Sequence, residues 1–97
     1  MNWELHRQNL VDGKTITFAP KGNSMLPIIE SGNVLTIAPC EIYKKGDIVF
    51  CKVKGTYRVH KITAIKDDSY QISNNKGYVN GWTKQIFGKV IKIETKK

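Results

Sequence analysis

Apolar and polar residues alternate along most of the chain after residue 13. Six segments carry this alternation and are rich in β-branched and aromatic residues: 14–20, 33–39, 46–53, 56–65, 69–74 and 85–94. Gly, Asp, Asn or Pro bounds each segment, as is typical of strands joined by tight turns. Before these segments the pattern predicts a short helix over residues 2–11, with Trp3, His6 and Leu10 on one side. Asp12-Gly13 is expected to end it. The pattern therefore predicts a mainly β fold, a closed or half-closed antiparallel barrel or sandwich with one short N-terminal helix.

Length and composition are those of one small globular unit. The 97 residues are 40% hydrophobic and 25% charged, and they contain no long apolar run and no secretory signal pattern. We expect one domain over residues 1–97, ordered from about residue 2 to residue 94, with no membrane span. Two cysteines and two histidines have no zinc spacing and form no disulfide framework. We therefore expect a cytoplasmic protein without a metal or cofactor.

The charge balance adds a possible class of partner. Sixteen Lys and Arg against eight Asp and Glu give a formal charge of +8, which attracts nucleic acid, anionic lipid or acidic proteins. The lysines are spread along the chain rather than clustered, so a nucleic-acid-binding β-barrel is an alternative and not the leading hypothesis.

One histidine stands out within the predicted strands. In segment 56–65, alternation places Arg58, His60, Ile62 and Ala64 on one face. Because Ile62 and Ala64 look directed to the core, His60 is either a satisfied core residue or part of a site.

Five short motifs occur in an order that resembles a known family. Ser-Met-x-Pro follows a Gly-Asn loop, and then come Ser-Gly-Asn-Val-Leu-Thr-Ile, Lys-Gly-Asp-Ile-Val, Val-His-Lys-Ile and Ile-Phe-Gly-Lys-Val. Over residues 14–93 the chain thus resembles the serine peptidase clan that includes LexA-type repressors and signal peptidases. The resemblance implies a coiled antiparallel β-fold, with Ser24 as nucleophile and His60 as general base. It also implies an oxyanion hole formed by the backbone N–H groups of Asn23 and Ser24.

The choice of base can be weighed chemically. A serine hydroxyl needs a base within hydrogen-bond reach, and histidine, with a pKa of about 6.5, is suited to that task near neutral pH. Lys61, the alternative base, would need its pKa lowered by roughly 3 units, about 4 kcal/mol. We therefore expect a Ser24–His60 dyad.

The chain departs from the family at two acidic positions. Histidine-type members carry acids where this chain has Asn74 and Asn80. Either amide can orient an imidazole, but neither supplies a countercharge. The sequence thus predicts either a slow enzyme or a peptidase fold that has lost catalysis. Asn80-Gly81 is also a good turn dipeptide, which is the structural alternative for Asn80.

Three hypotheses follow. The leading one is a soluble serine peptidase, an enzyme acting on an extended peptide or protein segment. The first alternative is a catalytically inactive interaction or regulatory module encoded by a phage or mobile element, and the second is the basic nucleic-acid-binding barrel. We also expect Tyr78 and Trp82 to close one end of the barrel, the alternative being that they line a peptide groove.

Overall fold

The strands form one antiparallel sheet. The computed structural model describes residues 3–19, 29 and 32–95. Within these residues the elements are α1 Trp3–Val11, β1 Ile16–Phe18, β2 Val34–Ala38, β3 Ile48–Val53, β4 Thr56–Lys66, β5 Ser69–Ser73, β6 Val79–Thr83 and β7 Ile86–Glu94. The strand order is β1-β2-β7-β3-β4-β5-β6. The predicted mainly β fold with one short N-terminal helix is confirmed.

Helix α1 begins and ends close to its predicted bounds. Leu10 is its buried anchor, at 2% exposure, and Trp3 packs edge-on against Phe18, with ring centroids 5.6 Å apart. Gly13 ends the helix, because its φ of 88° lies in the left-handed region that favours glycine. Among the described residues no helix has the length and apolar character needed to cross a membrane.

Both faces of the sheet are buried along β3, which is why its sequence is almost continuously apolar. One core lies between the sheet and α1; it includes Leu10, Ile16, Phe18, Ile29, Leu35, Ile37, Phe50 and Val59. A second core lies on the opposite face, which we call the inner face; it consists of Val49, Cys51, Val53, Ile62 and Ile72. Because neighbouring residues of a strand point to opposite faces, Val49 and Phe50 enter different cores.

The sheet curls around the second core. The Thr83 hydroxyl at the end of β6 donates to the Lys52 carbonyl of β3 at 2.6 Å, and the Lys52 N–H donates to the Gln85 carbonyl at 3.0 Å. These bonds bring the sheet edge at β6 back to β3, although β4 and β5 separate the two strands in the sheet order. The result is a half-closed barrel over β3–β6, with the inner face inside it.

Two β-bulges decide which side chains point inward. In β6, Val79 pairs with Ser73 and Gly81 with Ile72, so Asn80 is the additional residue. In β4, Ile62 pairs with Ile72 and Ala64 with Gln71, so Thr63 is the additional residue there.

The β4 bulge corrects one expectation. Simple alternation predicted that Ala64 shares a face with His60 and Ile62, and this is wrong. The register shift at Thr63 moves Ala64 opposite Gln71, on the face away from the second core. Strand β6 is also new, because the predicted strand segments end at residue 74 and resume at residue 85.

Candidate active site

His60 lies on the inner face of β4. It pairs across the sheet with Val49 of the second core, and it is 5% exposed. Directly opposed residues of two strands point to the same face, so His60 shares the inner face with Ile62, as alternation predicted. An imidazole this deeply buried requires polar partners.

Asn80 of β6 supplies one such partner. The Asn80 Oδ1 and His60 Nδ1 atoms are 2.6 Å apart, and the Asn80 residue is 9% exposed. Because the amide oxygen can only accept, Nδ1 carries the hydrogen and Nε2 is the ring nitrogen with the lone pair. The β6 bulge directs the Asn80 side chain inward, since the additional residue of a bulge changes the side-chain direction. The sheet thus brings together two residues separated by twenty positions in sequence.

The surroundings favour the neutral form of this imidazole. Burial lowers the pKa of His60 below its usual value of 6.5, the hydrogen bond to Asn80 opposes this, and the positive charge of Arg58 adds a further lowering. The ring is therefore predominantly neutral at pH 7, which is the state that a general base needs.

Asn74, the other predicted orienting residue, has a different environment. Its Oδ1 accepts hydrogen bonds from the backbone N–H groups of Lys76 and Tyr78, both at 2.9 Å. These bonds shape the turn between β5 and β6, as Asx side chains do in turns. Asn74 thus supports the loop that leads into β6, and Asn80 is the amide at the histidine.

Lys61, the alternative base, points to the other face of the sheet. It pairs with Ile48, which packs against the core beneath α1, and its Nζ donates to Asn75 Oδ1 at 3.1 Å. Adjacent residues of a strand diverge in this way, so Lys61 and His60 lie on opposite faces.

The predicted nucleophile and oxyanion donors, Ser24 and Asn23, lie outside the described residues. The segment that carries them connects β1 to β2, which pair antiparallel with Phe18 opposite Leu35. Their roles stay predictions.

An ion pair that the sequence did not suggest lies near this site. Asp47 Oδ1 and Lys89 Nζ are 3.3 Å apart, and Lys89 is aligned across the sheet with Val49, the partner of His60. The Asp47 Oδ2 also accepts from the Lys44 N–H at 2.8 Å, which closes the turn before β3. The inner face therefore carries a charge pair two strands away from the histidine.

The expectation that Tyr78 and Trp82 close one end of the barrel is wrong. Tyr78 is 67% exposed and Trp82 is 45% exposed. The second core is filled instead by the aliphatic residues and Cys51, whose pKa burial raises to about 12.

The comparisons with known proteins agree with this architecture. A search of curated proteins found no match. A family model described as Peptidase S24-like matches residues 4–91, from α1 through most of β7. With nearly the whole chain covered by that match, this protein belongs to the Peptidase S24-like family.

Proposed function

We propose that this protein is a serine peptidase in which Ser24 attacks the substrate and His60 is the general base. The observation that carries the proposal is the buried His60–Asn80 pair, 2.6 Å apart on the inner face. A buried imidazole held in one tautomer, with its pKa lowered, has the properties of a base ready to accept a proton. Family membership supports the assignment of the nucleophile to the Ser-Met-x-Pro segment.

The proposed reaction uses His60 in both directions. Nε2 takes the proton of Ser24 Oγ while Oγ forms a bond to the scissile carbonyl carbon. The resulting imidazolium gives that proton to the leaving amine, and the C–N bond breaks. Water, deprotonated by the same nitrogen, then hydrolyses the acyl ester and releases Ser24.

Asn80 has the role of a positioning residue in this scheme. Its amide oxygen keeps the hydrogen of the imidazole on Nδ1 and so leaves the lone pair on Nε2. As a neutral group it gives less stabilisation to the imidazolium than a carboxylate would, so the enzyme is slow.

The proposed substrate is an extended peptide or protein segment, and the proposed location is the cytoplasm. The location is supported by the two cysteines, which are unpaired, with Cys40 exposed and Cys51 buried. Unpaired thiols are compatible with a reducing compartment.

Covalent labelling tests the dyad without knowledge of the substrate. A fluorophosphonate forms an Oγ–P bond and loses fluoride, and intact mass spectrometry counts the adducts. We expect one adduct per chain in the wild type and none in Ser24→Ala, whereas Ser69→Ala, a serine exchange in β5, should label normally. His60→Ala should abolish labelling, since members of one catalytic unit are not additive. His6→Ala should label at the wild-type rate.

Asn80→Ala gives the positioning role its own readout. We expect slower labelling and a pH profile moved to lower pH, because the amide raises the pKa of His60. If the folded wild type neither labels nor cleaves a mixed peptide library, catalysis is the wrong assignment. The inactive interaction module on the same fold then takes its place, an outcome compatible with an amide at the histidine.

A further inference from the structure

The opposite face of β4–β6 carries a basic and aromatic surface that the peptidase chemistry does not use. We call it the outer patch and define it by Lys61, Lys66, Gln71, Val79, Trp82 and Lys84. The strand register places these residues together: Lys61 is opposite Ser73, which is opposite Val79, and Gln71 is opposite Trp82. Lys66 pairs with Ser69, and Lys84 follows β6 directly.

The two bulges create this surface. The shift at Asn80 turns Val79 to the same side as Trp82, three residues further along the strand. The shift at Thr63 places Ala64 opposite Gln71, on the face away from the second core. Lys66, two residues further along β4, therefore lies on that face as well. Without the bulges, alternation would place these side chains on the other face.

Lys66, Val79, Trp82 and Lys84 of the outer patch are exposed, Lys61 and Gln71 are half-buried, and the patch carries positive charge. Val79 is 47% exposed and Trp82 is 45% exposed. The ion pairs of the described residues are Arg7–Glu4, Lys89–Asp47 and Lys92–Glu94, so no lysine of the outer patch takes part in one. The sequence from residue 69 to residue 93 contains no Asp or Glu, and the nearest acids in sequence, Asp67 and Asp68, stand at the turn beyond Lys66.

The polar residues between the lysines are hydrogen-bonded to one another. Ser73 Oγ and Thr63 Oγ1 are 2.7 Å apart, and Thr63 Oγ1 is 3.0 Å from Gln71 Oε1. This chain of hydrogen bonds holds the Gln71 amide in one orientation beside Trp82, its cross-strand neighbour. A fixed amide next to an exposed indole offers hydrogen bonding and stacking at one place.

We propose that the outer patch binds single-stranded nucleic acid. An exposed aromatic side chain on a curved β-surface stacks with a base, and lysines around it neutralise the phosphates. The net charge of +8 supports an anionic partner and opposes self-association through this face. Trp82 favours a nucleic acid over an acidic peptide, because every nucleotide joins a planar base for stacking to a phosphate charge, whereas acidic side chains offer charge without a stacking surface.

Fluorescence anisotropy with labelled oligonucleotides of about 15 nucleotides tests the proposal, since small barrels cover up to about that length. The probes are oligo(dT), oligo(rU), a duplex of equal length and a labelled polyglutamate peptide. We expect both single strands to bind more tightly than the duplex and the peptide. For three neutralised phosphates, the logarithm of the binding constant should fall with the logarithm of salt concentration with a slope of about −2.

Variants locate the surface. Trp82→Ala should weaken single-strand binding by roughly 5- to 150-fold, the range for one lost base–aromatic stack, and Trp82→Phe should retain part of the affinity. The double variant Lys66→Glu/Lys84→Glu should weaken binding and make the salt slope shallower. Its control is Lys44→Glu/Lys45→Glu, an equal charge change at exposed positions before β3, which should weaken binding much less.

Each opposite result overturns the proposal. The proposal is wrong if the two double variants lose the same amount of single-strand affinity, or if Trp82→Ala binds single strands as tightly as the wild type. It is also wrong if polyglutamate binds as tightly as the single strands, or if the wild type binds no oligonucleotide at low salt. Circular dichroism and thermal melting establish that each variant is folded. Ser24→Ala should bind nucleic acid with the affinity of the wild type. A negative result for nucleic-acid binding therefore leaves the peptidase proposal standing, and a negative labelling result leaves the binding proposal standing.

Discussion

Replacing Asn80 by aspartate changes the charge at the buried histidine while keeping the shape of the side chain. In Asn80→Asp a carboxylate takes the place of the amide whose oxygen lies 2.6 Å from His60 Nδ1. Two opposite charges about 4 Å apart attract each other by about 4 kcal/mol at an effective dielectric constant near 20, which corresponds to about 3 pKa units. Desolvation of the new carboxylate reduces this gain, so we expect the pKa of His60 to rise by about 1–3 units.

Proton NMR measures this pKa through the Cε1–H resonance of the imidazole, and His6→Gln assigns the signal of the other histidine. The labelling rate of Asn80→Asp should rise with the fraction of His60 that is neutral. The midpoint of its pH profile should therefore move to higher pH and agree with the pKa measured by NMR. At high pH its rate should exceed that of the wild type, because the carboxylate stabilises the imidazolium that forms in the proposed reaction and the neutral amide does not. If the folded variant titrates like the wild type, the contact between Asn80 and His60 does not set the properties of the ring.

Three further predictions concern folding. Gly88→Ala would place a Cβ 2.8 Å from Ile37 Cγ2, so urea denaturation should show a free energy of unfolding lower by about 1–3 kcal/mol; equal stability would contradict the close packing. Gly81→Ala would put a side chain at a φ of 141°, which should cost about 1–3 kcal/mol and slow labelling by disturbing the bulge at Asn80; a wild-type labelling rate would speak against that link. Because burial lowers the pKa of His60, its contribution to stability should be complete above about pH 6.5 and lost as pH falls through the lower folded-state pKa. Urea midpoints across this range should fall less in His60→Gln than in the wild type, and parallel pH dependence in the two proteins would refute the assignment.

Alternation was sufficient to predict most of the sheet and the direction of His60. The strands that it identified have a regular pattern of β-branched residues, and burial on at least one face fixes their register. His60 and Ile62 precede the bulge in β4, so simple counting places them correctly. Ala64 follows the bulge, and counting fails there because the additional residue at Thr63 is determined by pairing with β5 rather than by the local sequence.

Strand β6 could not be predicted for a related reason. Its sequence, Val-Asn-Gly-Trp-Thr, contains the Asn-Gly pair that normally indicates a turn. In the fold these two residues form the bulge, and Gly81 takes the positive φ that the bulge requires. The exposure of Trp82 could not be predicted either, because it depends on a register shift that only the paired strands define.

The neutral amide at His60 resolves a conflict between burial and protonation. A carboxylate at this buried position would be costly without a charged partner, and by raising the pKa of the ring it would convert part of the base to the imidazolium at neutral pH. With Asn80, burial keeps the pKa of His60 below 6.5, so the neutral ring, which can accept a proton, predominates at pH 7. In the proposed reaction the energetic disadvantage appears later, when the imidazolium forms without a countercharge from Asn80. For the proposed enzyme, the arrangement favours a high population of the neutral base over a fast chemical step, so we expect the aspartate variant to be faster only at pH values above its own raised pKa.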